Sequence, residues 1–295
     1  MVKPFDLPGH WYKASLHTHS TASDGAVSPA QIIQEYADRG YDVIVVSDHW
    51  ALAHPDAEMF GKTLSIPGIE LDCESPNRRS HGGWHILGIG VHTICPLKWN
   101  AQPQGLIDCI RDAGGLAVIA HPYWLGLSHG TLQSVEGYIA IEVYNGVCDW
   151  LNGKGLSAVQ WDDLLQRGQA VTAIAVDDCH VPERDLGKAW TMIKAQELSE
   201  HGIKKALAAG AFYATRGPEI HNITVQGSSI EISCSPVTRI NIVCSTWMGR
   251  TATAKPGEHL TNLTAVLPAG ADYVRIECID DQDRPAWSNA ILLTN

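Results

Sequence analysis

The sequence predicts an α/β protein: a barrel-like domain over residues 1–219, followed by a small all-β domain over 220–295. Three observations carry this reading. Apolar strand-like runs alternate with amphipathic helical stretches up to about residue 219. Nearly every such run ends in His, Asp or Glu. After Arg216-Gly217-Pro218 the helical period gives way to two-residue alternation.

The first run, Tyr12, Ala14, Leu16, leads into Ser15-Leu16-His17-Thr18-His19-Ser20, with Asp24-Gly25 close behind. Two histidines one residue apart share a strand face and can bite one ion. Ser28-Pro29-Ala30-Gln31 reads as a helix start, with Ser as cap, Pro at the first helical position and Gln three residues after the cap. Ile32, Ile33, Tyr36 and Ala37 make its apolar stripe and Gly40 its stop. Tyr41 to Val46 is a nearly unbroken apolar run, as buried parallel strands are, and ends in Ser47-Asp48-His49.

The unit then repeats in looser form. Leu64 to Ile69 ends in Glu70, and Ile86 to Val91 starts beside His85. A helix over 104–112 precedes Leu116 to Ala120 and His121-Pro122. Gly137 to Ile141 ends in Glu142, with Val143-Tyr144-Asn145 after it. A helix over 156–166 precedes Ala170 to Val176, which ends in Asp177-Asp178-Cys179-His180. A last helix over 199–209 leads to Phe212 to Thr215. In α/β barrels the carboxyl ends of the strands carry the function, and here those ends carry the ionisable groups.

Beyond Pro218, the segments 223–225, 230–232, 240–243, 264–267, 273–279 and 291–293 alternate like half-buried antiparallel strands, punctuated by Gly227, Gly249, Pro256-Gly257, Pro268 and Gly270. A β-sandwich appended to the first domain is the expectation.

Composition narrows the function. Of 295 residues 45% are apolar and 18% charged, the mark of a globular chain with no membrane-spanning run and no visible signal peptide; a cytoplasmic location is expected. A net charge of −11 argues against broad nucleic-acid binding, which needs a basic footprint, and leaves room for a small anionic substrate, because bound cations reverse the field locally. Eight cysteines without a Cys-x-x-Cys pair predict mostly buried free thiols in a reducing compartment. Oligomeric state is not legible.

The candidate metal ligands are His17, His19, Asp24, His49, Glu70, His85, His121, Asp178 and His180. Nine exceed what one ion needs and suit two or three divalent ions, with Glu70 the natural bridging carboxylate. Mixed nitrogen and oxygen donors accept Zn, Mn or Fe alike. A hydroxide bridging two such ions could attack an electrophilic centre while the ions clamp the attacking and leaving oxygens.

The ordered set His17-Thr18-His19, Ser47-Asp48-His49, Pro67-Gly68-Ile69-Glu70, His121-Pro122 and Asp178-Cys179-His180 resembles the motifs of the polymerase and histidinol phosphatase (PHP) superfamily. That resemblance implies a distorted (β/α)7 barrel and phosphoester hydrolysis at a two- or three-metal centre. Position by position it implies one ion on His17, His19, Glu70 and Asp178, a second on Glu70, His85 and His121, and a third on Asp24, His49 and His180. The position of Asp24 is a histidine in some members. The tail, Phe212-Tyr213-Ala214-Thr215-Arg216-Gly217-Pro218 and Ala286-Trp287-Ser288-Asn289, is similar to a narrower CehA/McbA-like branch, which includes a carbamate ester hydrolase.

Each candidate has a plainer reading. His81 competes with His85, and Asp177 with Asp178. Asp48 points away from His49 on an extended chain and suits a supporting hydrogen bond. Arg216 is either a clamp for a substrate oxyanion or an inter-domain ion pair. Arg78, Arg79, Arg184, His54, His129, Trp124, Tyr144 and Asn145 are weaker candidates for the pocket wall. The expected activity is phosphoester hydrolysis of a small substrate, with His49, His180 and Arg216 as candidate catalytic groups. The alternatives are carbamate, ester or amide hydrolysis at the same centre, or a non-catalytic metal-binding or structural module.

Overall fold

The computed structural model describes residues 4–54, 56–73, 83–98 and 100–293. Arg78, Arg79 and His81 therefore lie outside the described residues. The first part of the chain contains β1 (His10–Ser15), α1 (Pro29–Ala37), β2 (Val43–Val46), β3 (Glu58–Phe60), β4 (Thr63–Cys73), β5 (Trp84–Ile89), α2 (Pro103–Asp112) and β6 (Leu116–Ile119). It continues with α3 (Pro122–Leu125), α4 (His129–Leu132), β7 (Tyr138–Asn145), α5 (Gly146–Asn152), α6 (Ala158–Gln166), β8 (Thr172–Val176), α7 (Pro182–Asp185), β9 (Trp190–Ala195), α8 (Glu200–Ala209) and β10 (Phe212–Thr215).

The start of α1 follows from its sequence. The Ser28 side chain accepts from Gln31 N, the Gln31 side chain reaches back to the Ser28 backbone, and Pro29 supplies the fixed φ of the first turn. Ile32, Ile33 and Tyr36 then bury one stripe against Ile44 and Val46 of β2. The strands run β10-β9-β1-β2-β4-β5-β6-β7-β8 across one mixed sheet. β1, β2 and β4 pair in parallel, as do β6, β7 and β8, while β5 is antiparallel to both β4 and β6. The plain strand–helix alternation read from sequence is thus interrupted where β4 turns back into β5.

Alternate residues of eight strands, among them Ala14, Val45, Ile66, Leu87, Val118, Ala140, Ile174 and Ile193, gather in one apolar layer. The opposite side chains of β5 to β8 pack under α2 and α6, through Leu106, Ile110, Trp161 and Leu164. The last strand of the run meets β9: Thr191 Oγ1 accepts from Ala175 N at 3.2 Å and donates to Ala175 O at 3.1 Å.

The remaining strands are β11 (Ile220–Gln226), β12 (Ser229–Val237), β13 (Arg239–Cys244), β14 (Gly249–Thr253), β15 (Leu260–Val266), β16 (Tyr273–Ile279), β17 (Pro285–Ser288) and β18 (Ile291–Leu292). β11, β12 and β15 form a separate three-stranded sheet. Its buried face, through Ile223, Ile230 and Ile232, meets Ile240, Ile242, Val274 and Ile276 of β13 and β16. The second layer of this pair is continuous with the first part of the chain, because β17 pairs with β10, Tyr213 facing Ser288 and Thr215 facing Ala286. The Asn289 side chain ties the junction, accepting from Ala173 N and donating to Gly210 O and Phe212 O.

Six cysteines are buried free thiols, whereas Cys95 and Cys109 are joined in a disulfide. Most of the eight are thus free thiols, with this one bond as the exception. Among the described residues no helix is long and apolar enough to cross a membrane.

Candidate metal centre

Main-chain hydrogen bonds draw the strand ends together. His19 N donates to Cys179 O at 2.9 Å, and Ser47 N donates to Thr18 O at 2.8 Å, so the segments after β1, β2 and β8 are fastened side by side. Glu70 N donates to Asp48 O, which fixes the carboxylate opposite His49. The loop carrying Asp24 folds back over His19, where a Cβ on Gly25 would stand 2.6 Å from the His19 carbonyl; only glycine permits that approach. Ala26 N then donates to His180 O at 2.7 Å. Three of the five described non-glycine residues at positive φ, Trp50, His121 and Asp178, sit here, a backbone cost of about 1–3 kcal/mol each.

All nine sequence candidates converge. Glu70, 1% exposed, is their centre. Its Oε2 stands 3.0 Å from His17 Nε2, 3.2 Å from His19 Nε2 and 3.6 Å from His49 Nε2. Its Oε1 stands 2.8 Å from His85 Nδ1 and 3.5 Å from His121 Nε2. Asp178 Oδ1 lies 3.2 Å from His17 Nε2 and 3.1 Å from His19 Nε2. At the exposed side, Asp24 Oδ2 lies 3.4 Å from His180 Nε2 and 3.8 Å from His49 Nε2. The ligand atoms fall into overlapping sets able to hold an ion: His17, His19 and Glu70; His49, Glu70 and His85; His19, Asp24, His49 and His180; and His121, Cys148 and Asp178.

The donor chemistry fits a cation. His17 Nδ1 lies 2.6 Å from Glu142 Oε1, and an ionised carboxylate only accepts, so Nδ1 carries the proton. Nε2 is then the atom turned on His19 Nε2, Glu70 Oε2 and Asp178 Oδ1, all within 3.2 Å. Lone pairs gathered this closely in a buried site repel unless a proton or a cation stands among them. Proton affinities show the same demand. Burial alone would lower His17 and His19, but Asp178, Glu70 and Glu142 around His17 hold it well above the ordinary histidine value. Hydrogen bonding to Asp178 and Glu70 holds His19 at about 9. Burial would raise Glu70, and the His17 and His85 charges instead keep it well below the carboxylate range. His121 Nδ1 is buried without a hydrogen-bond partner.

The neighbours separate the paired readings. Asp178 faces the site, whereas the Asp177 carboxylate accepts from Gly187 N, Lys188 N, Ala189 N and Tyr36 OH. Asp48 supports the loop, accepting from Ser20 N, Ser20 Oγ and Ser23 Oγ. Trp124 stacks edge-on to His121, with ring centres 5.1 Å apart. His129 pairs with Asp163 at the surface, 3.5 Å away. The Arg216 guanidinium lies 4.1 Å over the Tyr144 ring and 3.9 Å from Asp149, both within residues 1–219.

Four residues of the site were not singled out from sequence as part of it. Glu142 was read only as a strand end, and Cys148 only as a buried thiol. Asp72 accepts from Trp50 Nε1 at 2.8 Å and lies 3.5 Å from His49 Nδ1. Trp50 itself is held at a positive φ of 53°. A carboxylate inside an apolar strand, as Glu142 is in β7, was the available signal.

No family model matches the chain. A 5'-3' exoribonuclease of Haemophilus influenzae is 36% identical over 88 residues, which is 28% of this chain and 31% of that protein; the matched stretch spans less than a third of the curated relative. Among solved structures, a two-domain protein of Bacteroides vulgatus containing a predicted PHP-like metal-dependent phosphoesterase superposes with a TM-score of 0.56 at 18% identity, covering 97% of this chain and 98% of that one. The lesion-specific endonuclease EndoQ of Pyrococcus furiosus reaches a TM-score of 0.47 at 16% identity, over 68% and 56% of the two chains. At 18% identity the likeness to the two-domain Bacteroides vulgatus protein is one of fold, shared along nearly the whole chain.

Proposed function

We propose that the protein is a metal-dependent hydrolase of the PHP type, acting on a small phosphate ester at a centre of two or three divalent ions. The observation that carries this is the convergence of five imidazoles, those of His17, His19, His49, His85 and His121 from four separate segments, on the buried Glu70 carboxylate. The layer built from alternate residues of β1, β2 and β4 to β9 supports the distorted barrel reading, with 1–219 as the catalytic domain and 220–295 as its β appendage.

His17, His19, Glu70 and Asp178 would hold one ion, Glu70, His85 and His121 a second, and Asp24, His49 and His180 a third. Zn, Mn or Fe bound there supplies Lewis acidity and a water acidic enough to serve as nucleophile near neutral pH. Glu70 and Asp178 would offset two of the charges on the first pair of dications, and Asp24 one charge of a third, so the ligand set would stay net positive with either two or three ions bound. A chain of net charge −11 thereby presents a positive floor to an anionic substrate. Glu142 holds the His17 ring, Trp124 packs edge-on to His121, and Trp50 donates to Asp72 beside His49. His49 and His180, 26% and 24% exposed, are placed to hand a proton to a leaving oxygen when not serving as ligands. Arg216, 3.9 Å from Asp149, is a candidate cation for a substrate oxyanion.

The tail segments around Thr215 and Trp287 favour a second reading, carbamate or ester cleavage at the same centre as in the CehA/McbA-like branch. Metal-stripped protein reloaded with Zn, Mn or Fe is the test, on p-nitrophenyl phosphate and 1-naphthyl carbamate panels. Metal-dependent release from the phosphate ester is expected; turnover of carbamates alone would overturn the phosphoester assignment.

A further inference from the structure

Glu142 and Asn145 lie on β7, between the strands that end in His121 and Asp178, and both are fully buried. Neither belongs to the ligand set. Glu142 Oε1 accepts from His17 Nδ1 at 2.6 Å, and Oε2 accepts from His121 N and from Asn145 Nδ2, each at 2.8 Å. Asn145 Nδ2 also donates to Asp178 Oδ2 at 3.1 Å, and Asn145 Oδ1 accepts from Cys148 N at 3.0 Å. Every polar side-chain atom of the pair is thus engaged by protein, which leaves none for a substrate or an ion.

We propose that Glu142 and Asn145 are a positioning pair that sets three ligands at once: the ring tautomer of His17, the main chain of His121 and the rotation of the Asp178 carboxylate. The inference rests on the metal reading above. Three different strand ends, after β1, β6 and β8, carry those ligands, and one hydrogen-bonded unit reaches all three. His121 and Asp178 are both held at positive φ, 28° and 57°, where a side chain does not settle unaided. The bond from Asn145 engages Asp178 Oδ2 and turns Oδ1 toward His17 and His19, so Oδ1 is the oxygen that would face an ion there.

The arrangement demands a group that only accepts. Glutamine in place of Glu142 has nearly the same shape but must turn its NH2 either toward His17 Nδ1–H or toward the two N–H groups of His121 and Asn145. In the first case His17 escapes the clash by moving its proton to Nε2, which removes the lone pair from the centre. In the second, His121 is no longer held. Either way the ions sharing Glu70 lose a preset ligand, while Asp24, His49 and His180 touch neither member of the pair.

The test uses the full-length protein, Glu142→Gln and Asn145→Ala, titrated with Zn(II) in competition with a chromophoric chelator. The 15N signals of selectively labelled histidines are recorded at saturating zinc. Glu142→Gln is expected to weaken zinc binding about 10–100-fold, as loss of a residue supporting a ligand does, and to shift the His17 Nδ1–H signal; Asn145→Ala is expected to weaken it less and leave that signal in place. Wild-type zinc affinity with an unshifted His17 signal in Glu142→Gln would overturn the proposal, even if the variant melted earlier. Should Glu142→Gln not fold, wild-type zinc affinity in Asn145→Ala would overturn it instead. A wild-type protein that binds no zinc would fail the metal reading itself, and the pair's role with it.

Discussion

Glu70→Gln keeps the side chain's shape and removes one negative charge from the middle of five imidazoles, those of His17, His19, His49, His85 and His121. Structural zinc in a four-ligand site is worth about 10–16 kcal/mol, which is roughly 2.5–4 kcal/mol per ligand. At 1.4 kcal/mol per tenfold this corresponds to about 100–1,000-fold in affinity. Glutamine retains one neutral oxygen, so the lower figure, about 100-fold, is expected at each ion that Glu70 shares. Metal content after dialysis against graded chelator, with circular dichroism as the fold check, measures it. The secondary structure should persist, because the Glu70 side chain faces the histidines and is not part of the apolar layer. A variant that kept metal within threefold of wild type would refute Glu70 as a bridging ligand.

Protons compete for the same lone pairs. His19 is held at about 9 and His17 is also raised, so apparent metal affinity should climb between pH 6 and 9 and then level off; a flat profile would contradict the geometry. In metal-free protein the raised values stabilise the fold fully below the unfolded value of about 6.5, and that stabilisation is lost as pH rises toward about 9. Thermal melts should therefore show a metal-free Tm that falls across this window and a gap to the metal-loaded Tm that widens. Arg275 is 2% exposed and pairs with Asp162 and Glu277, each at 2.6 Å, so Arg275→Ala should cost about 3 kcal/mol in urea unfolding. A loss below about 1 kcal/mol would place the pair among surface bridges. Ser28→Ala removes the capping box of α1 and should cost about 1 kcal/mol with metal content unchanged.

Much of the site was legible because strand ends are where an apolar run stops and a polar residue can face outward without breaking the core. His17, His49, His121 and Asp178 follow that pattern, Glu70 stands within β4, which runs on to Cys73, and α1 appears with its cap, stripe and stop because those signals are local. Strand direction was not legible. β4 and β5 read as successive strands, and nothing in a two-residue period tells an antiparallel partner from a parallel one. The hydrogen-bonded pair of β10 and β17 also escaped notice, since a ladder between segments some seventy residues apart leaves no compositional mark. It joins the layers on either side of Pro218 into one sheet. Glu142 was hidden for a related reason: its three donors come from distant parts of the chain, and a buried carboxylate in sequence looks like any strand end.

Anomalous diffraction from crystals grown with Mn(II) tests the account most directly. The structure predicts at least one manganese peak bounded by His17 Nε2, His19 Nε2, Glu70 Oε2 and Asp178 Oδ1, with Glu142 still on His17 Nδ1. A saturated crystal without density at that point, or with manganese only on surface carboxylates, would contradict the metal centre and the hydrolase built on it.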